Sequence, residues 1–254
     1  MTPEASKKTP GARRRRAKTA AILDEARRLL IEEGPEGMTI QRLADALDYT
    51  PGALYRYFPS KDAIIVALQV QGIGEVHGIF RRAWSMCDAV TASEGLGESE
   101  GGLLKLVASA RIYIDLPAED PVRFGLIGLA MGQPRQLLDD EAIQPIVATV
   151  MPLIGDVGQV IEAAARSGAI DGHGQGAARA VTLWSALHGV LMMKKFMRFD
   201  PKVIQARALA LELGRSLLLG WGASPGGLER ASEVVDRMSD PRPLLVVARE
   251  LEGV

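Results

Sequence analysis

The stretch Thr50–Ala63, "TPGALYRYFPSKDA", puts a helix start, two tyrosines, an arginine, a Pro-Ser break and a lysine within fourteen residues. Thr50-Pro51 reads as an N-cap followed by proline at the first helical position, where its missing N–H costs nothing. Gly52 and Ala53 then occupy the first turn. Their lack of bulk lets a backbone approach another surface closely, and free first-turn N–H groups suit phosphate. Leu54 and Phe58 point inward. Tyr55, Arg56 and Tyr57 remain to supply hydroxyls and a guanidinium, groups that bind phosphate oxygens and base edges. Ser60 caps the next helix beside Lys61.

Upstream, Ile22, Ala26, Leu29 and Leu30 form one apolar stripe, which predicts a helix over Ala17–Glu33 stopped by Gly34-Pro35. Thr39 can cap a second helix whose Leu43, Ala44 and Leu47 face inward. Asp48-Tyr49-Thr50 is then a tight connection. Two short helices joined by a three-residue turn, with a third before them, describe a helix-turn-helix, whose second helix lies in the major groove of DNA. The competing account of the same spacing is a small helical bundle with tyrosines on its surface.

Thr39-Ile40-Gln41-Arg42-Leu43-Ala44 and Gly52-Ala53-Leu54-Tyr55-Arg56-Tyr57-Phe58-Pro59-Ser60-Lys61-Asp62 together resemble the TetR family of bacterial transcriptional regulators. The resemblance covers roughly residues 17 to 65. It implies an all-α homodimer with an N-terminal DNA-binding domain and a larger C-terminal domain for a small effector, usually acting as a repressor. Carried across by position, it puts Thr50, Gly52, Ala53 and Tyr55 at the groove and Thr39, Tyr57 and Lys61 on the DNA backbone. One departure is that the family's turn usually has glycine and valine where this chain has Asp48 and Tyr49.

The net charge of −1 hides an asymmetry: residues 1–18 hold seven Lys or Arg against one acid, a net +6, so the rest carries −7. The bland reading of this basic segment is a solubilising tail. The alternative is that Arg13, Arg14, Arg15 and Arg16, just before the first helix, reach an adjacent minor groove or neutralise phosphates, as homeodomain arms do.

The remaining chain reads as apolar helices punctuated by Gly and Pro, without strand-like alternation. The domain reading is a basic, flexible arm over 1–16, a helix-turn-helix domain over 17–62, an effector-binding and dimerisation domain over 63–222, and an extension over 223–254. Helices are expected near Leu103–Leu116, Pro121–Met131, Ile143–Arg166, Gln175–Arg198 and Pro201–Leu219. The resemblance implies that the last two pair across the two-fold of a dimer. Small residues with Met131, Met151 and Met192 suit an adaptable apolar cavity, hence a small, largely apolar effector. "LWSALHGVLMM", Leu183–Met193, resembles a Trp-Xaa-Xaa-Xaa-His-Gly element of one subgroup of these ligand-binding domains. Trp184 and His188 share a helical face; they form either a packed core pair or an effector contact.

The single cysteine, Cys87, excludes an internal disulfide framework, and the basic N-terminus lacks an apolar signal core, so a cytoplasmic location is expected. Contiguous apolar runs fall short of the roughly 18 residues that a spanning helix needs, so no membrane association is expected. Enzyme signatures are missing: Gly72-Xaa-Gly74-Xaa-Xaa-Xaa-Gly78 misses the dinucleotide fingerprint, and three scattered histidines offer no metal spacing. No metal or cofactor is expected. The resemblance thus implies a ligand-responsive repressor that binds double-stranded DNA as a homodimer. The alternative is an architectural or ligand-independent DNA-binding protein.

Overall fold

The computed structural model describes residues 10–132, 140–193 and 205–251, and these form helices joined by short turns, without a strand. They form two compact units, the first from 10–71 and 140–146, the second from 72–132, 147–193 and 205–251.

The first unit starts with α1, Pro10–Gly37, seven residues earlier than the apolar stripe predicts. Proline at the first position and the run of good helix formers after it (Ala and Arg) carry the helix upstream of its buried face. The segment expected as a flexible arm is therefore helical over residues 10–16; residues 1–9 lie outside those described. Gly34, at φ 74°, breaks the helix where Gly-Pro was expected to stop it. In α2, Ile40–Ala46, the Thr39 hydroxyl accepts the Arg42 N–H at 3.2 Å, and Leu43 and Ala44 are buried. In α3, Pro51–Leu54, the Thr50 hydroxyl accepts the Ala53 N–H at 3.3 Å. The Ser60 hydroxyl likewise accepts the Ala63 N–H at 3.1 Å and caps α4, Lys61–Ser93. Ile22, Met38, Leu43, Leu54 and Ile64 are completely buried and form the unit's core.

In the second unit, α5, Glu98–Glu119, is the central element. All but three of its residues from Gly101 to Pro117 are buried, and it packs against α6, Pro121–Gly132, α8, Gly176–Met192, and α9, Ala206–Gly220. The C-terminal pair, α10, Pro225–Ser239, and α11, Leu244–Glu250, also lies on α5. Leu244, Leu245 and Ala248 are fully buried there, so this extension is part of the unit's core. The Arg82 Nε–H of α4 donates to the Ala248 carbonyl at 2.6 Å, and Arg111 pairs with Asp236 at 2.8 Å.

Helix α7, Asp140–Arg166, approaches the start of α8 closely, because a Cβ at Gly176 would collide with the Gly158 carbonyl. Glu162 on α7 accepts the Gly174 and Gly176 N–H groups, which hold its carboxyl below the usual range. Cys87 is buried, which pushes its thiol up to about 12, so it stays protonated.

Two helical stretches, Lys61–Ser93 and Ile143–Arg166, are long and apolar enough by length and composition to cross a membrane, each holding an 18-residue window of mean hydropathy 1.4. Scattered polar residues interrupt a contiguous apolar run without lowering the window mean much, so these helices reach a length and mean that the runs alone do not. Half of the α4 window is buried, as in a core helix, whereas only 17% of the α7 window is.

Candidate functional site

In the reading head, local chain chemistry aims the polar groups outward. Leu54 and Phe58 are buried, which fixes the roll of α3 and the turn after it. Thr39, Thr50, Gly52, Tyr55 and Arg56 are exposed, and Pro51, Ala53, Tyr57 and Lys61 half-buried. Tyr55 is 51% exposed, unusual for a large aromatic ring. The helix is one turn long, and its Ala53 N–H is already taken by Thr50, through both the hydroxyl at 3.3 Å and the carbonyl at 2.9 Å. The expected supply of free first-turn N–H groups is thus smaller than the sequence implied. At Gly52 an ideal Cβ would meet no heavy atom within 4 Å. The protein itself leaves that space open.

The turn before α3 has a feature that the sequence left open. Asp48 adopts a left-handed backbone, φ 54°, which Asp tolerates better than most residues, and the Tyr49 N–H closes the turn on the Ala44 carbonyl at 2.9 Å. The Asp48-Tyr49 departure from glycine and valine is therefore accommodated. Lys18 Nζ stands 5.9 Å from the centre of the Tyr49 ring, which ties α1 to the turn. Arg13, Arg14, Arg15 and Arg16 are all exposed. Successive helical residues are about 100° apart, so these four surround the first turns of α1 with positive charge.

The second unit holds a cavity of about 690 Å³ of space between atoms, its open mouth included. Ile73, Val76 and Phe80 of α4 form one wall, Ser109, Ala110 and Tyr113 of α5 the floor, and Ile127 of α6 one edge. Val150, Leu153, Ile154 and Val157 of α7 and Ala180, Leu183, Trp184 and Leu187 of α8 complete it. Trp184 Nε1–H donates to the Tyr113 hydroxyl at 2.8 Å, and Tyr113 is 2.8 Å from His188 Nδ1. An indole nitrogen only donates, so Tyr113 accepts from Trp184; the tautomer that also gives the Tyr113 proton a partner has Nδ1 as its acceptor and the imidazole proton on Nε2, and it is assigned on that ground. Burial lowers the His188 pKa and raises that of Tyr113, so both are neutral near pH 7.

Of the side chains singled out by sequence for a ligand, Trp184 lines this cavity and His188 stands one hydrogen bond behind it, packed 4.9 Å from Phe124, centre to centre. Met192 and Met151 are 42% and 57% exposed and do not belong to the wall; on α7 their place is taken by Val150, Leu153 and Ile154. The side chain of Met131 lies outside the described residues. Sequence reasoning missed Tyr113 and Ser109, whose only signal was polarity inside the apolar run of α5.

Residues 22–68 match the family of bacterial regulatory proteins described as the tetR family. A curated relative, the HTH-type transcriptional repressor AcnR of Corynebacterium efficiens, is 28% identical over 119 residues, 47% of this chain. The chain spans 50% of that relative's length. Among solved structures, a protein of unknown function from Rhodococcus sp. superposes with a TM-score of 0.60 at 15% identity, covering 80% of this chain and 94% of its own. The fatty acid degradation regulator FadR of Bacillus halodurans gives 0.57 at 19% identity, covering 86% and 100%. At such identities these structures speak for the fold alone. With the helix-turn-helix geometry, the matched residues 22–68 make the N-terminal segment a TetR-type DNA-binding domain, and the chain is similar to TetR-family transcriptional regulators.

Proposed function

We propose that this protein is a homodimeric repressor that binds a near-palindromic operator through its two helix-turn-helix heads and is released by a small, largely apolar effector. The observation that carries the reading is the surface of α3: exposed Thr50, Gly52, Tyr55 and Arg56 around a Cβ position that the protein leaves empty. Thr50, Pro51, Gly52, Ala53 and Tyr55 enter the major groove. Thr39, Arg56, Tyr57 and Lys61 contact the sugar-phosphate backbone, and Arg13 to Arg16 add phosphate contacts beyond it.

The dimer is built on α8 and α9. Val181, Met192, Met193 and Leu209, each at least 41% exposed in a single chain, support that choice. Two heads about one helical turn apart, roughly 34–36 Å, match successive major grooves on one side of a duplex. The effector occupies the cavity against Trp184 and Tyr113, with His188 as the group that holds Tyr113 in place. Its effect on DNA binding equals its preference for the unbound state over the operator-bound one. The protein acts in the cytoplasm on DNA, without a membrane, metal or cofactor, and is not an enzyme.

The test is selection of bound duplexes from a random pool, with a Tyr55→Ala, Lys61→Ala double variant alongside. Enrichment of an inverted repeat by the native protein alone supports the proposal; no enrichment at low or moderate salt refutes it. The second reading, an architectural DNA-binding protein, is favoured by the four exposed arginines on α1. It predicts binding without sequence enrichment and without response to a ligand.

A further inference from the structure

Among the described residues, the cavity wall carries side-chain hydrogen-bonding groups on Ser109, Tyr113 and Trp184, and each is committed to a protein partner. The Ser109 hydroxyl donates to the Lys105 carbonyl at 2.7 Å and accepts the Trp84 Nε1–H at 2.8 Å. The Trp184 indole proton goes to Tyr113, and the Tyr113 proton to His188. No acidic or basic side chain among the described residues lines the space. A ligand carboxylate or hydroxyl entering it would leave its water shell and find no free side-chain donor, a penalty that a hydrocarbon does not meet.

We propose that this cavity selects an uncharged, hydrocarbon-like molecule, a compact aromatic or alicyclic compound without a polar group, and discriminates against the alcohols and acids of the same shape. The discrimination comes from the Trp184–Tyr113–His188 chain, which turns the wall's strongest donors and acceptors onto one another. Phe80, Tyr113 and Trp184 supply the faces against which a ring stacks. Its meaning for gene control rests on the cavity being the effector site; the binding preference itself does not.

The experiment is calorimetric titration of the full-length protein at pH 7.5 with ethylbenzene, 2-phenylethanol and phenylacetate, three probes that share one phenyl-C2 skeleton and differ in polarity. Ethylbenzene is expected to bind at least tenfold more tightly than 2-phenylethanol, in line with the roughly 10²-fold limit for rejecting an added hydroxyl, and phenylacetate to give no binding heat. Tyr113→Phe removes the bridging hydroxyl and leaves the Trp184 N–H unpaired at the wall and His188 Nδ1 unpaired behind it. It should shift the ratio about tenfold toward 2-phenylethanol, with circular dichroism confirming the helical fold.

Equal or tighter binding of either polar probe overturns the inference. So does the absence of binding by all three up to their solubility limits, or an unchanged ratio in folded Tyr113→Phe protein. Binding of ethylbenzene without any change in operator affinity would uphold the selectivity and instead remove the cavity from the proposed regulatory mechanism.

Discussion

Gly52 separates stability from recognition more cleanly than any other position in the reading head. It is the second residue of α3, exposed, and its ideal Cβ meets nothing within 4 Å. Gly52→Ala therefore introduces no clash, and by narrowing the unfolded ensemble it should stabilise the fold by about 0.4–1 kcal/mol. At roughly 4–8 °C per kcal/mol for a unit of this size, the melting temperature holds or rises by a few degrees. Leu54→Ala, two residues on and fully buried, should cost about 2–5 kcal/mol.

Gly52→Glu keeps the same empty surroundings but places a negative charge where the proposal puts DNA. At about 5 Å from a phosphate and an effective dielectric of 20, the repulsion is roughly 3 kcal/mol before screening, equivalent to a 10- to 100-fold loss of affinity once salt is present. The assay pairs fluorescence anisotropy on the selected duplex with thermal unfolding followed by circular dichroism. Native-like operator affinity in Gly52→Glu protein, or a drop of more than about 5 °C in Gly52→Ala, would refute the reasoning that this space is kept open for DNA.

Replacing Arg13 to Arg16 by serine should reduce the salt slope of log binding constant by about 2, since the helix turns roughly two of the four toward one duplex and each released phosphate contact contributes about 0.9; an unchanged slope removes these residues from the interface. Burial lowers the His188 pKa, so the unfolded chain binds more protons than the native one below about 6.5, and stability should fall as pH drops through that value. His188→Gln should flatten that fall in a melting series from pH 7.5 to 5; an identical slope in both proteins contradicts the assignment. Leu245→Ala, in fully buried surroundings on α11, should cost about 2–5 kcal/mol in urea unfolding, and a loss under 1 kcal/mol would mean that the C-terminal pair is not integral to the second unit.

The sequence by itself determined what is settled within a few residues along the chain. Thr39, Thr50 and Ser60 cap their helices by bonds to the third residue on, Gly34 breaks α1, and the apolar stripe of Ile22, Ala26, Leu29 and Leu30 faces the core. Side-chain caps, glycine and 3.6-residue periodicity act over one turn, so they are legible without a third dimension. The upstream extension of α1 was not, because residues 10–16 bury nothing and leave no stripe to read. Nor was the left-handed backbone at Asp48, a property of the closed turn rather than of the residue.

The cavity was decided entirely by tertiary structure. Trp184 and His188 were visible as neighbours on one helix, but the residue that joins them, Tyr113, lies 71 and 75 positions away along the chain. Whether a hydroxyl inside an apolar helix offers itself to a ligand or is spent on its neighbours depends on which helices pack around it, and packing among five helices has no local signature. For the same reason Val150, Leu153 and Ile154, rather than the more adaptable Met151, line the wall: helix α7 has apolar residues on more than one face, and only its neighbours decide which face turns inward.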